Sequence, residues 1–117
     1  MGRAVRPPRR GISPATLPFM AGDMTIAQFQ SLIRARYFET DAARGVSPTF
    51  VWLAEEFGEL AEAIGRHERG DGDLDALGSE FADVLAWLAT LANITGVNLT
   101  DAIARKYIEN GGPEGIK

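Results

Sequence analysis

The chain contains no cysteine, one histidine and two lysines among its 117 residues. Without cysteine there is no disulfide, no thiolate metal site and no cysteine nucleophile, which fits a reducing compartment, and a cytoplasmic location is expected. The lone histidine, His67, reads as a surface or helix-end residue. It argues against a zinc site, and against the bundle-type di-iron site, which needs Glu-x-x-His on two helices. No apolar run reaches the roughly 18 residues of a membrane span, so no membrane partner is expected. Valine and threonine are sparse and nothing alternates convincingly as a strand.

What is present is charge of uneven sign. Arg3, Arg6, Arg9 and Arg10 precede the first acid, Asp23, whereas residues 24–117 carry 8 basic and 15 acidic side chains. A body of that balance repels nucleic acid and anionic membrane unless a cation intervenes, so no nucleic-acid partner is expected. The opening 23 residues hold four prolines, no apolar periodicity and no secretory core. They read as a disordered basic leader, either a flexible tail or an upstream extension of a chain starting at Met20 or Met24. A nucleic-acid or membrane tether is the alternative. Residues 24–117 form the expected single domain.

Helical punctuation is regular in that body. Thr25 and Gln28 form a capping-box signature, and Ile26, Phe29, Ile33 and Tyr37 recur at helical spacing up to Gly45. Ser47 followed by Pro48 predicts the start of a second helix, with Phe50, Leu53, Phe57, Leu60 and Ile64 on one stripe and a break at Gly70-Asp71-Gly72. Asp73 or Asp75 caps a third, carrying Leu77, Phe81, Val84, Leu85, Leu88 and Leu91 and ending at Gly96. Asn98 and Asp101 start a fourth, running through Tyr107 to Gly111-Gly112-Pro113. The fold class is all-α, a four-helix bundle in which the short second turn makes helices two and three an antiparallel hairpin. Trp52 and Trp87 fall off the main stripes, and that surplus apolar surface predicts a homo-oligomer.

At about 100° per residue, the stripe of helix two centres on Phe57. Glu56 and Glu59 then share one flank with Trp52, while Glu55, Glu62 and Arg66 take the other. Helix three centres on Phe81, and Glu80 and Asp83 share a flank with Trp87. The offsets match, giving two acidic pairs spaced i, i+3, each beside a tryptophan. Four carboxylates converging from adjacent helices repel one another, and a cation removes the conflict. An all-oxygen set suits Mg²⁺ or Mn²⁺, which keep positions for water and substrate phosphates. Solvated acidic faces of this spacing are also common on helices, and Glu55, Glu62 and Glu68 read as such.

The pattern Glu55-Glu56-x-x-Glu59 followed by Glu80-x-x-Asp83 resembles the EExxE and ExxD signature of the MazG-like nucleoside triphosphate pyrophosphohydrolases. The stretches WLAEEFGELAEA, EFADVL and LTDAIARKYIEN are similar in order to that family's metal helix, partner helix and last helix, so the resemblance covers about Thr25 to Asn110. It implies a MazG-like bundle that hydrolyses a nucleoside triphosphate between its α and β phosphates, giving monophosphate and pyrophosphate, with a role in nucleotide pool cleansing. It implies that Glu56, Glu59, Glu80 and Asp83 hold Mg²⁺, with Mn²⁺ as a substitute, and that Glu55 has at most a water-orienting role. It implies that Lys106 and Asn110 contact phosphates. Trp52 and Trp87 keep two uses open, a base pocket or packing against a partner subunit. Family members are similar in assembling as dimers or tetramers. Missing phosphate contacts would come from another subunit or from Arg34, Arg36 or Arg105. Rival readings are a phosphoribosyl-ATP pyrophosphohydrolase, which shares the metal motif, and a non-catalytic Mg²⁺-binding interaction module.

Overall fold

Thr25 and Gln28 open the first helix as their spacing predicts. Gln28 N donates to the Thr25 hydroxyl at 3.0 Å, and Thr25 N donates to the Gln28 side-chain oxygen at 2.7 Å. The structure is a computed structural model that describes residues 21–113. The expected leader lies outside the described residues up to position 20, and its last three residues, Ala21–Asp23, form a 3-10 turn. Four α-helices follow: α1 (Ile26–Arg44), α2 (Val46–Arg69), α3 (Leu74–Thr95) and α4 (Leu99–Ile103). A π-helical segment, Ala104–Glu109, continues α4. Among the described residues there is no strand, and no single helix is long and apolar enough to cross a membrane.

Two boundaries differ from the sequence reading. The second helix begins at Val46, not at a Ser47 cap. Gly45 is both the C-cap of α1 and the N-cap of α2, and its φ of 92° is a conformation that side chains with a Cβ avoid. Pro48 still lies in the first turn, where its missing N–H has no helical partner to lose. The fourth helix is α-helical only to Ile103. From Ala104 the chain widens into π geometry, which capping and periodicity do not report. The other ends match: Asp73 accepts from Ala76 N at 2.7 Å, Asn98 accepts from Asp101 N at 3.0 Å, and Gly96 closes α3.

Helix α3 packs against both α2 and α1, while α4 packs on α1. Its two contact faces differ in character. Toward α1 it presents Ala86 and Ala89, which lie against Ile33, Phe29 and Tyr37. Toward α2 it presents Val84 and Trp87, which pack with Leu53, Trp52 and Leu60. The α3–α4 turn is tied back by Gln30, whose amide donates to Asn93 Oδ1 at 3.1 Å and to the Val97 carbonyl at 2.8 Å.

The stripes centred on Phe57 and Phe81 reach the core only at one edge, through Leu53 and Val84. Phe57 is 46% exposed, Phe81 49% and Leu85 56%, whereas Glu56 and Trp87, from the supposed flanks, are 1% and 0% exposed. Bulk hydrophobicity picks out the arc of largest apolar side chains, but α3 meets α1 through Ala86 and Ala89 and meets α2 through Val84 and Trp87. Phe57, Phe81, Leu85 and Leu88 are left outside. Leu85 and Leu88 border an apolar groove of about 490 Å³ with Met24, Phe29, Leu99 and Ile103. The tryptophans likewise pack on each other inside the chain, their centroids 5.6 Å apart and their planes at 75°.

A buried polar knot fastens α1, α2 and α3 at the end of the hairpin far from its turn. Arg44 donates to Asp41 Oδ1 at 2.6 Å and to the Thr49 hydroxyl at 2.8 Å, and Thr90 donates to Asp41 Oδ2 at 3.1 Å. The Thr49 hydroxyl in turn donates to the Gly45 carbonyl at 2.6 Å. Asp41, Thr49 and Thr90 are all buried. Removing one member of such a set leaves the others desolvated. Thr90→Val is therefore expected to cost about 1–3 kcal/mol and Arg44→Ala about 3–5 kcal/mol, read by urea denaturation. An unchanged midpoint in both variants would remove the knot from the account of stability.

Candidate metal centre

The α2–α3 hairpin places its polar residues in layers. Farthest from the turn are Thr49 and Thr90, both bonded into the Asp41–Arg44 knot. Next come Trp52 and Trp87, with the Arg44 guanidinium 4.8 Å and 5.1 Å from the two ring centroids. One turn further along α2 is Glu56, then Glu59, facing Glu80 of α3. A ligand oxygen from each of Glu56, Glu59 and Glu80 lies within 4.8 Å of the others. The layers follow from antiparallel pairing of residues spaced i, i+3 and i+4, which share one face of each helix.

Burial gives this cluster its character. Glu56 is almost wholly enclosed and Glu59 and Glu80 are half-buried. Three carboxylates this close oppose one another's ionisation, and burial raises the cost of each charge. A divalent cation suits the site because the donors are all carboxylate oxygens, the set that hard ions such as Mg²⁺ and Mn²⁺ take.

The remaining candidates are distributed around the cluster. Asp83 is half-buried one turn further along α3 and is not among the three grouped carboxylates. Glu55 is half-buried beside Glu56 on α2 and is also outside the group. Trp52 is half-buried, its ring engaged by Trp87 and Arg44. Lys106 and Asn110 are exposed at and just after the π-helical segment, the Lys106 ammonium 5.8 Å from the Tyr107 ring centroid. Neither lines the cleft beside the carboxylates. Arg34 stacks on Phe38 at 4.0 Å, and Arg36 and Arg105 are exposed.

Toward the hairpin turn the cluster opens into a cleft of about 450 Å³, bordered by Glu59, Glu62, Arg66, Asp71, Asp73 and Glu80. The helical wheel assigned Glu62 and Arg66 to the flank away from the metal ligands. The cleft reaches them because the α3 backbone gives way to the turn there, so more of the α2 circumference borders the same space. Arg44 was also missed. Its signal in the sequence is only that it precedes Gly45 at the end of a helix; its contacts depend on how three helices meet.

A family model described as the MazG nucleotide pyrophosphohydrolase domain matches residues 45–110. A search of curated proteins returned no match. The matched residues run from the α1–α2 corner to the end of the π-helical segment, taking in all three clustered glutamates and more than half of the chain. The chain belongs to the MazG nucleotide pyrophosphohydrolase family.

Proposed function

We propose that this chain hydrolyses nucleoside triphosphates between the α and β phosphates, releasing monophosphate and pyrophosphate, in the cytoplasm and in the service of nucleotide pool cleansing. The observation that carries the reading is the Glu56–Glu59–Glu80 cluster, formed on two neighbouring helices of a chain from a nucleotide pyrophosphohydrolase family. These three residues, with Asp83 on the next turn as the fourth, are assigned to Mg²⁺, for which Mn²⁺ can substitute. When bound, the cation supplies positive charge to the phosphate oxygens and activates water for attack.

The chain's own residues have distinct tasks in this reading. Glu56, held against the tryptophan layer, is the fixed ligand, and Glu59 and Glu80 face the cleft where the triphosphate enters. Glu55 is given at most a role in orienting the attacking water. That water's oxygen bonds to the α-phosphorus as the bond to the bridging oxygen breaks. Pyrophosphate departs with the electron pair, and the proton lost by the water passes to solvent. Carboxylates serve the cation, and cationic side chains serve the phosphates.

The exposed Phe57, Phe81, Leu85 and Leu88 strip is assigned to a homo-oligomer, a dimer or tetramer. Lys106 and Asn110 lie off the cleft of their own chain, so their phosphate role is assigned across that interface, and Trp52, packed on Trp87 and Arg44, is left to support the cluster.

Phosphorus NMR of the protein with ribo- and deoxynucleoside triphosphates in Mg²⁺ tests the reaction. Monophosphate and pyrophosphate are expected in equal amounts, with no turnover in EDTA. Glu56→Ala is expected to lose at least about 100-fold, since even groups that only orient metal ligands carry about 10- to 100-fold. Failure to cleave any nucleotide, by a folded protein that binds Mn²⁺, would shift the assignment to phosphoribosyl-ATP or to a binding module. Sedimentation velocity tests assembly: Phe81→Glu with Leu85→Glu is expected to yield monomer where the unaltered chain is a dimer or tetramer. A chain that is already monomeric at tens of micromolar would remove the interface.

A further inference from the structure

The cleft beside the carboxylates has one feature that the metal assignment does not use. Of the described residues that border it, Arg66 alone carries positive charge, among Glu59, Glu62, Asp71, Asp73 and Glu80. Arg66 is seven positions beyond Glu59, about 10 Å along the helix axis. Side chains on a helix lean toward its N-terminus. Arg66 does so here, its guanidinium reaching back to Glu62 Oε2 at 3.5 Å, in the direction of Glu59.

The base of this side chain is held by the turn. The Arg66 carbonyl accepts from Asp71 N at 3.0 Å, and Gly70 N also donates to it. Gly72 lies so close that a Cβ there would meet the Arg66 Cβ at 3.0 Å and its carbonyl carbon at 3.4 Å. The turn thus closes over the stem of Arg66 through a residue without a side chain. The head is held less firmly, because the pair with Glu62 is long and both side chains are more than half exposed. A fixed stem and an exchangeable partner suit a guanidinium that passes from a carboxylate to a phosphate. Asp73 is engaged as the α3 cap, and Asp71 lies 3.8 Å from Arg69.

We infer that Arg66 is a substrate-contacting residue, binding the β and γ phosphates and the pyrophosphate that they become. The inference rests on the pyrophosphohydrolase reading and deepens it. It assigns a phosphate cation to the same chain as the carboxylates, whereas Lys106 and Asn110 lie elsewhere. With the α-phosphate at the cation held by Glu56, Glu59 and Glu80, the tail runs along α2 toward the turn. Its negative charge grows as the bond to the α-phosphorus breaks, and a planar guanidinium can meet two of its oxygens.

The test is titration calorimetry of Mn²⁺-loaded protein with α,β-methylene nucleoside triphosphates carrying each of four bases, beside steady-state kinetics. Mn²⁺ affinity is measured separately. Arg66→Ala is expected to weaken analogue binding and kcat/KM by about 10- to 100-fold, equally for all four bases, with Mn²⁺ affinity and melting temperature unchanged. Arg66→Lys is expected to recover part of the loss. Equal analogue binding by Arg66→Ala and the unaltered chain would overturn the inference, as would a loss that depends on the base. If the unaltered chain binds Mn²⁺ but neither binds nor cleaves any nucleotide, it is the pyrophosphohydrolase reading that has failed, and this inference falls with it.

Discussion

The Arg44 guanidinium stands where three helices meet, and the geometry of the hairpin depends on it. It is bonded to Asp41 of α1 and Thr49 of α2, and it lies over the rings of Trp52 and Trp87. One planar cation thereby fixes the α1–α2 corner at Gly45 and closes the end of the tryptophan layer. A lysine could supply the charge but not the two directed bonds together with the flat face. Because Asp41 also accepts from Thr90, the same ion pair sets where α3 lies relative to the other two helices.

From that corner the hairpin grades from dry to charged. The tryptophans exclude water, and the carboxylates begin one turn beyond them. A low-dielectric floor strengthens whatever electrostatic interaction occurs above it, whether repulsion among glutamates or attraction to a cation. The burial of Glu56 is thus costly alone and would become favourable with a divalent partner. Toward the turn the walls separate, and the half-buried Glu59 and Glu80 border space wide enough for a phosphate chain.

Much of this was legible in the sequence wherever the cause is local. The Thr25, Asp73 and Asn98 caps, the Gly96 terminus and the spacing of the glutamates all act within one turn of helix, and each was readable from residue type and offset. The wheel also placed Glu56, Glu59 and Glu80 on matching flanks. It misjudged what those flanks meet. Periodicity reports which residues share a face, but not whether that face meets a neighbouring helix or water. Ala86, Ala89 and Thr90 are too small or too polar to mark a core stripe, yet all three are buried. The widening at Ala104 and the position of Arg44 depend on contacts between distant residues, for which a single sequence has no offset to read.

The two unusual faces of the hairpin belong together. Packing the acidic and tryptophan flanks inward leaves Phe57, Phe81, Leu85 and Leu88 outward, because they lie on the remaining arc of the same two helices. Neither face is favourable in an isolated, cation-free chain: one concentrates negative charge and the other exposes large apolar side chains to water. In the proposed reading a cation would relieve the first and self-association the second. A partner that binds only the folded hairpin stabilises it by mass action, so either would do so. The two effects would reinforce one another through the shared helices. An arrangement that looks doubly unfavourable in one chain is therefore consistent under the proposed cation binding and self-association.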